Sequence, residues 1–256
     1  MSDDPSDVPI ADIRRKLTRL KRNGCNLLVT GNVREEVSHR ATRKLLGSPE
    51  ATRTRLLGLT DHDREDAPDL LPDDVRATDH RVHFAEYAAG TRTATATPAG
   101  TDADCSDTAA FDADESAVDM DPSAFDTESA AFDRNSSAVR DLGEFRGALC
   151  NAITKAKIGQ SGFDPAELRI SVFTLSYLLN RHDPAAVDRF VSAVGDHVRG
   201  VDGMAHYHLP VADDSQSVRR LSSLFDARIE LREKHGRPEQ RWHFPDDDVR
   251  TVWVGL

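Results

Sequence analysis

The chain has 256 residues, of which 38% are hydrophobic, and this suits one α/β domain of ordinary size with appendages. Its formal net charge is −11, and its three scattered cysteines are too few for a disulfide framework or a zinc site. No apolar run reaches the ~20 residues that a membrane helix needs, and the acidic, polar start is not a secretory signal, so we expect a cytoplasmic protein without membrane contact.

The charged residues are unusual in type and in position. Arginine (27) far exceeds lysine (6), and aspartate (32) far exceeds glutamate (12), a balance that resembles proteins of salt-loving archaea. Residues 101–135 carry eleven acids and one base, so most of the negative charge belongs to one segment. The rest of the chain carries nearly equal numbers of acids and bases, which argues against a uniformly basic nucleic-acid-binding surface.

Residues 1–9 are predicted to be disordered, and a helix is predicted to follow them. Ile10, Ile13, Leu17 and Leu20 recur at helical spacing, and Asn23-Gly24 is typical of a left-handed helix end. The opposite face is basic, with Arg14, Arg15, Arg19 and Arg22. Two interpretations stay open for this face: a solvated surface, or a contact for nucleic acid or an acidic partner.

The first half of the chain continues as strand, helix, strand and strand. Residues 26–30 form a short apolar strand, and Val37, Ala41 and Leu45 then mark one face of a helix that Gly47-Ser48-Pro49 ends. Strands are predicted at 55–60 and 82–87, with a polar, Asp-rich loop between them. This order favours a parallel sheet.

Residues 90–138 break these patterns. The stretch consists mainly of Ala, Thr, Asp and Ser, so it cannot bury enough apolar surface to offset its chain entropy, and we predict a disordered acidic insertion. An Ala-Phe-Asp unit recurs within it at 110–112, 124–126 and 131–133. The repeat is either accidental or a docking tract for a basic partner.

Regular structure is predicted again after the insertion. Leu142, Phe145, Leu149 and Ile153 mark a helix that begins with a capping box at Asp141 and Glu144. The most apolar run, 168–179, predicts a central strand that leads into a turn or short helix. The remaining predictions are helices at 184–198 and 215–225, strands at 204–211 and 251–256, and a hairpin of 227–233 with 240–244.

The segment after the first strand partly matches a phosphate-binding loop. Such a loop follows G-x-x-x-x-G-K-[ST] between a strand and a helix. Counted from Gly31, Glu36 replaces the second glycine, Val37 replaces the lysine, and Ser38 stands in register.

The order of elements and several segments resemble the RecA/KaiC-type P-loop fold, and most closely a group of haloarchaeal proteins of uncharacterised function. The matching segments are NLLVTG at 26–31, RLLGLT at 55–60, RISVFTLSYLL at 169–179, the strand at 204–211 and the strands from 227. The resemblance implies a three-layer α/β domain over residues 10–256 with a mostly parallel sheet, C-terminal β strands and the acidic insertion at 90–138.

The resemblance also implies which chemistry has been lost. In active members a metal-binding aspartate would stand where this chain has Phe173, before Thr174 and Leu175. Val37 cannot neutralise phosphate charge, and Glu36 would repel it, although Arg34 would offset part of that repulsion. We therefore expect a non-catalytic, regulatory pseudo-ATPase without a cofactor, in which the degenerate loop retains Gly31, Arg34 and Ser38.

The sequence leaves other functions open. One is a weak nucleotide hydrolase in which Ser38 and a distant carboxylate still bind Mg²⁺; another is a nucleic-acid-binding regulator that uses residues 14–22. His206 and His208 alternate on a strand and so share a face, but no neighbouring ligand completes a metal site, and none is expected. The expected partners are proteins or further copies of the chain, and Arg219, Arg220, Arg228 and Arg232 are interpreted as surface or interface charge.

Overall fold

The computed structural model of the protein describes residues 10–87, 141–160, 162–245 and 249–256. Two predicted disordered stretches, 1–9 and 90–138 with its Ala-Phe-Asp units, lie outside the described residues. The described residues belong to one compact unit that leaves out 90–135. Within the described ranges, no helix combines the length and apolar character needed to cross a membrane.

Seven α-helices and nine strands are described. The helices are α1 (Ile10–Asn23), α2 (Glu35–Leu46), α3 (Ala67–Leu70), α4 (Leu142–Gly159), α5 (Leu175–Leu179), α6 (Pro184–Arg199) and α7 (Gln216–Leu221). The strands are β1 (Cys25–Thr30), β2 (Thr54–Leu59), β3 (Val82–Glu86), β4 (Leu168–Phe173), β5 (Met204–Leu209), β6 (Ala227–Lys234), β7 (Arg237–Phe244), β8 (Val249–Arg250) and β9 (Val254–Gly255).

All nine strands form one mixed sheet in the order β3-β2-β4-β5-β1-β6-β7-β8, with β9 also paired to β7. The six strands from β3 to β6 in this order are parallel, and β7 runs antiparallel to β6. The predicted α/β class with a mostly parallel sheet is therefore confirmed. The predicted hairpin near the C-terminus is confirmed as β6 and β7.

Helices cover both faces of the sheet. Successive residues of a strand point to opposite faces, and in β1 Leu28 joins one core cluster while Leu27 and Val29 join another. The cluster around Leu28 contains apolar residues of α4, α5, α6 and α7. The clusters on the opposite face contain residues of α1, α2 and α3. The result is a helix–sheet–helix sandwich.

Three local predictions need correction. The polar loop after β2 contains a 3₁₀ turn at Arg64–Asp66 and the four-residue α3, both too short to show a helical stripe. The predicted final strand is interrupted, because β8 and β9 have two residues each with 251–253 between them. The predicted helix at 215–225 ends as α7 at Leu221 and continues as a 3₁₀ turn.

Candidate functional site

The degenerate loop lies where ligands usually bind in an open α/β sheet. The connection after β1 runs towards β2, and the connection after the neighbouring β5 runs to β6 on the other side of β1. The carboxyl ends of β1 and β5 therefore lie at a topological switch point, the usual position of a ligand crevice.

At this switch point the backbone of Gly31 packs directly against the backbone of neighbouring segments. Its φ of +129° is one that other residues rarely adopt, and a Cβ there would overlap the carbonyl oxygen of Leu231 in β6. Its N–H donates a hydrogen bond to the Val211 carbonyl at 2.9 Å. A phosphate loop uses such N–H groups to hold its ligand, whereas here this group is already bonded within the fold.

Arg34 also has a partner within the fold. Its guanidinium donates to both carboxylate oxygens of Glu233, with Nε at 3.0 Å from Oε1 and 3.2 Å from Oε2. The same pairing lowers the pKa of Glu233. The expectation that Arg34 offsets the charge of Glu36 beside a phosphate therefore finds no support in this geometry.

The residues in register with the lysine and the serine of a phosphate loop are core residues. Val37 is 4% exposed and belongs to the core cluster that includes Ala41 and Ile229. Ser38 is 3% exposed. Because α2 already begins at Glu35, both residues sit in its first turn rather than on a loop.

Phe173 lies at the centre of a group of rings. It is 3% exposed, and its ring centroid lies 5.4 Å from that of His39, 4.9 Å from that of His62 and 4.8 Å from that of His208. Where the resemblance places a metal-binding aspartate, the structure has an aromatic ring packed among imidazoles.

Asp61 is the carboxylate next to this ring group. The backbone N–H of Thr174 donates to its Oδ1 at 3.1 Å, and the Thr174 hydroxyl donates to its Oδ2 at 3.0 Å. Partial burial raises the pKa of Asp61, but hydrogen bonds from His62, Thr174 and Thr60 together lower it below its ordinary value. Asp61 therefore fixes the start of α5 against the end of β2.

His62 bridges two carboxylates. Its Nδ1 lies 3.1 Å from Asp61 Oδ1, and its Nε2 lies 2.8 Å from Glu35 Oε1. The hydrogen bond to Asp61 is the largest cause that raises the pKa of His62, to about 9, and Glu35 acts in the same direction. Burial lowers the pKa of neighbouring His39.

His206 and His208 share a face of β5, as predicted, and both are buried. His208 Nε2 lies 2.8 Å from the Thr42 hydroxyl of α2. Burial, followed by the charge of Arg169, lowers the pKa of His206 to about 3. Within the described ranges the two histidines join no group of three metal-ligating side chains.

Three of the four arginines singled out near the C-terminal strands are paired within the domain. Arg228 Nε lies 3.0 Å from Asp213 Oδ1, and Arg220 lies 3.6 Å from Asp188. Arg232 pairs with Glu239 at 2.7 Å and stacks on Trp253. These contacts account for three of the four as internal structural charges; for Arg219 the structure shows only that it lies in the last turn of α7.

The basic residues of α1 form one exposed face. Arg14, Arg15, Arg19 and Arg22 are all exposed and line a shallow surface depression with Thr18 and Asn23. The face lies away from Leu17 and Leu20, which pack against the core. The sequence pattern therefore predicted the side of α1 on which the positive charge lies.

A cavity of about 320 Å³ lies at the amino-end side of the sheet, between α1, α2 and β7. Four of its lining residues are cationic, namely Lys21, Lys44, Arg53 and Arg169, and none of those that line it is acidic. Burial lowers the pKa of Arg169 to about 10, and the charges of Arg53 and Arg55 add to this effect.

Residues 24–231 match a family of unknown function, DUF7504. The chain belongs to this family. The match covers the sheet from β1 through most of β6, including the loop at Gly31 and the rings around Phe173, whereas α1 and the strands β7, β8 and β9 fall outside it. No curated protein matches the sequence.

Proposed function

We propose that this DUF7504 protein is a non-catalytic regulatory interaction module, built on a RecA/KaiC-like P-loop fold that has lost its ATPase chemistry. The relationship to that fold is supported by a parallel sheet in which a glycine-started loop and a helix follow the central β1. The regulatory role rests on analogy with the resemblance, since a fold does not by itself determine a function.

One observation carries the proposal: the positions that should hold charge are packed as core. Val37 and Phe173 are both under 5% exposed, in register with the lysine and the metal-binding aspartate. Phosphoryl transfer depends on positioning and on cationic stabilisation of the transferred group. Neither position can supply a charge, and a ligand cannot reach either side chain without opening the core.

The rival hydrolase needs Ser38 and a carboxylate on one Mg²⁺. Ser38 is buried in the first turn of α2, and the nearby carboxylate of Asp61 accepts hydrogen bonds from Thr174 and lies against His62. Mg²⁺ requires near-octahedral oxygen ligands and retains several waters. The geometry around Asp61 favours the structural role over this one.

A calorimetric titration of the full chain with ATP and Mg²⁺, together with an assay for phosphate release, tests the proposal. We expect no saturable binding at millimolar nucleotide and no phosphate release above background. Tight binding, or hydrolysis that Ser38→Ala abolishes, would overturn the pseudo-ATPase assignment.

The exposed arginines of α1 lie on a single face of the helix. This concentration of positive charge supports a contact with an acidic partner. The test is a pull-down from a native extract. We expect the unaltered chain to capture an acidic partner that the charge-reversed variant, with Glu at positions 14, 15, 19 and 22, does not capture. Charge reversal at the paired arginines Arg220 and Arg232 is the matched control. Equal capture by all three proteins would exclude this face as the contact.

Nucleic acid is the second candidate for the same face. Phosphate contacts release counterions, so binding weakens steeply as salt rises. A salt titration of DNA and RNA binding therefore decides between the two: a steep slope that disappears in the charge-reversed variant supports nucleic acid, and no affinity at low salt removes it.

A further inference from the structure

Three side chains with metal-ligating atoms converge beside Phe173. The ligating atoms of Glu35, His39 and His62 all lie within 4.8 Å of one another. Glu35 Oε1 is 2.8 Å from His62 Nε2 and 3.7 Å from His39 Nε2. An ion at their centre would thus reach all three after small rotations of the side chains.

The fold, rather than one local motif, assembles this group. Glu35 and His39 are four residues apart in α2 and so share one face of the helix. His62 follows β2, which lies three strands away from β1 in the sheet. Because α2 connects these two strands, its first turn and the end of β2 meet at the carboxyl edge.

His62 is oriented as metal-binding histidines usually are. Its Nδ1 lies 3.1 Å from Asp61 Oδ1, and Asp61 is itself held by the backbone and hydroxyl of Thr174. A carboxylate bonded to the far nitrogen fixes the ring and its tautomer and directs the near nitrogen to the ion. Asp61 and His62 have the geometry of the protein part of this arrangement.

His39 supplies a separate indication. Its side chain is 13% exposed, and Nε2 is buried without a hydrogen bond to any described residue. Buried polar atoms without partners are rare in folded proteins and call for an explanation. A metal ion between Nε2 and Glu35 would satisfy this atom.

A second group, made by Asp213, Glu230 and His243, serves as a comparison. There Arg228 pairs with Asp213, and Arg241 pairs with Glu230, so guanidinium groups already supply the positive charge. For Glu35, the ion partners within the described ranges are His39 and His62. Within the described ranges the first group therefore pairs Glu35 with imidazoles alone, and a bound metal ion would replace the proton that His62 shares with Glu35.

We propose that Glu35, His39 and His62 bind one divalent transition-metal ion, with Zn²⁺ as the best fit. Two imidazoles and one carboxylate are the ligand set of an open zinc site, and imidazole does not suit Mg²⁺. The Glu35 side chain is 60% exposed, so solvent can supply the fourth ligand. The site is thus distinct in chemistry from the Mg²⁺–nucleotide site of an active P-loop protein.

The test uses Co²⁺ as a spectroscopic probe on the full chain after dialysis against a chelator. We expect one equivalent of Co²⁺ to give the intense visible bands of a four-coordinate site, and Zn²⁺ but not Mg²⁺ to displace it. His39→Ala, His62→Ala and Glu35→Gln should each weaken binding at least 100-fold. Asp61→Asn, which only loosens His62, should weaken it about 10- to 100-fold.

Two controls keep the result interpretable. Glu36→Gln changes the neighbouring exposed carboxylate, and His80→Ala removes a surface histidine whose side chain is 84% exposed; both should bind Co²⁺ as the unaltered chain does. Circular dichroism checks that each variant is folded, and Glu35→Gln is the least disruptive of them. Absent bands, bands with thiolate character, or equal affinity in Glu35→Gln and Glu36→Gln would overturn the site. None of these outcomes depends on ATP binding, so this proposal and the pseudo-ATPase proposal can fail separately.

Discussion

Gly31 shows how a residue can match a ligand-binding motif and serve the fold instead. It has a positive φ and lies directly against the backbone of Leu231. β1 and β6 remain paired up to Thr30 and Glu230, so the chain must turn immediately afterwards in very little space. Only glycine lacks the atom that would prevent this approach.

Gly31→Ala should therefore destabilise the domain by about 2–4 kcal/mol, because the new methyl group meets a backbone oxygen and the φ is strained. The matched control is Gly147→Ala in α4, where an added Cβ meets nothing within 4 Å. That substitution should stabilise the protein by about 0.5–1 kcal/mol. Urea unfolding of both variants measures the difference, and similar midpoints for the two would contradict the packing argument.

Phe173→Asp should not create a metal-binding strand end. The residue is 3% exposed among His39, His62 and His208, so the substitution removes an aromatic ring from the core and buries a carboxyl group. We expect a loss of about 3–5 kcal/mol in unfolding free energy. Denaturant unfolding measures the loss of stability, and a Mg²⁺-ATP titration tests for nucleotide binding. A stable variant that gains nucleotide binding would contradict the assignment of Phe173 to the core.

The metal-ligating group could be predicted only in part. Glu35 and His39 are visible as an i, i+4 pair on a helix whose apolar stripe is clear in the sequence. His62 stands 23 residues after His39 in a polar loop, and nothing local connects the two. The alternating pair at His206 and His208 is a local pattern in the sequence, yet both rings are buried and His208 lies against Thr42 of α2.

At the scale of elements, the apolar patterns and the Gly- or Pro-containing segments between them predict the positions of most helices and strands. The apolar runs at 26–30, 55–60 and 168–173 became fully buried strands because both faces of the sheet are covered by helices. Stripes such as Val187, Phe190, Val191 and Val194 became the buried side of α6. The short α3 gave no stripe, since its four residues make barely one turn.

The stability that the pairing of β6 with β7 contributes to the fold should depend on pH through Glu230. Its carboxylate accepts hydrogen bonds from His243 and Arg241 on β7. Burial raises the pKa of Glu230, but these bonds outweigh it and lower the pKa below the ordinary value. A lowered pKa in the folded state means that the stabilisation is complete above the ordinary pKa of a glutamate and is lost as pH falls through the folded value.

Glu230→Gln should consequently flatten the acid side of the stability curve. Unfolding by urea at a series of pH values between neutral and about pH 3 gives the slope for each protein. We expect the unaltered chain to lose more stability than the variant over this range. Parallel curves would mean that Glu230 does not couple to folding.

At the scale of the whole molecule, the strand order is the property least accessible from the sequence. Each strand can be recognised from its own residues, but the position of β1 between β5 and β6 depends on contacts between segments about 180 and about 200 residues apart. The order β3-β2-β4-β5-β1-β6 determines which loops meet at the carboxyl edge. It therefore also decides that His62 and α2 become neighbours.

Removal of residues 90–138 should leave the domain folded. The described chain stops at Tyr87, whose ring lies 5.7 Å from that of Phe145, near the start of α4. The described residues resume at Asp141, four residues before Phe145, so a Gly-Ser linker can join the two described ends. A change in connector length alters the free energy of unfolding only slightly. The deletion also removes eleven acids and two arginines, so the formal net charge changes from −11 to −2.

We expect the deletion variant to retain the circular dichroism spectrum of the unaltered chain. Its free energy of unfolding should lie within about 1 kcal/mol of that of the unaltered chain. Its solubility at low ionic strength should fall with the loss of net charge. A molten or unfolded product would show that the segment contributes to the core.

In the sequence, α1 precedes the region that matches the family and β7 follows it, yet the two elements contact one another in the fold. Lys16 of α1 lies over the ring of Phe244 in β7, and Leu17, Leu20 and Trp242 share one cluster. These two elements also supply part of the wall of the cationic cavity, while the matched region supplies Arg53 and Arg169. We therefore expect α1 and β7 to be inherited as one unit: a relative that lacks either should lack both, and its two arginines should then open to solvent.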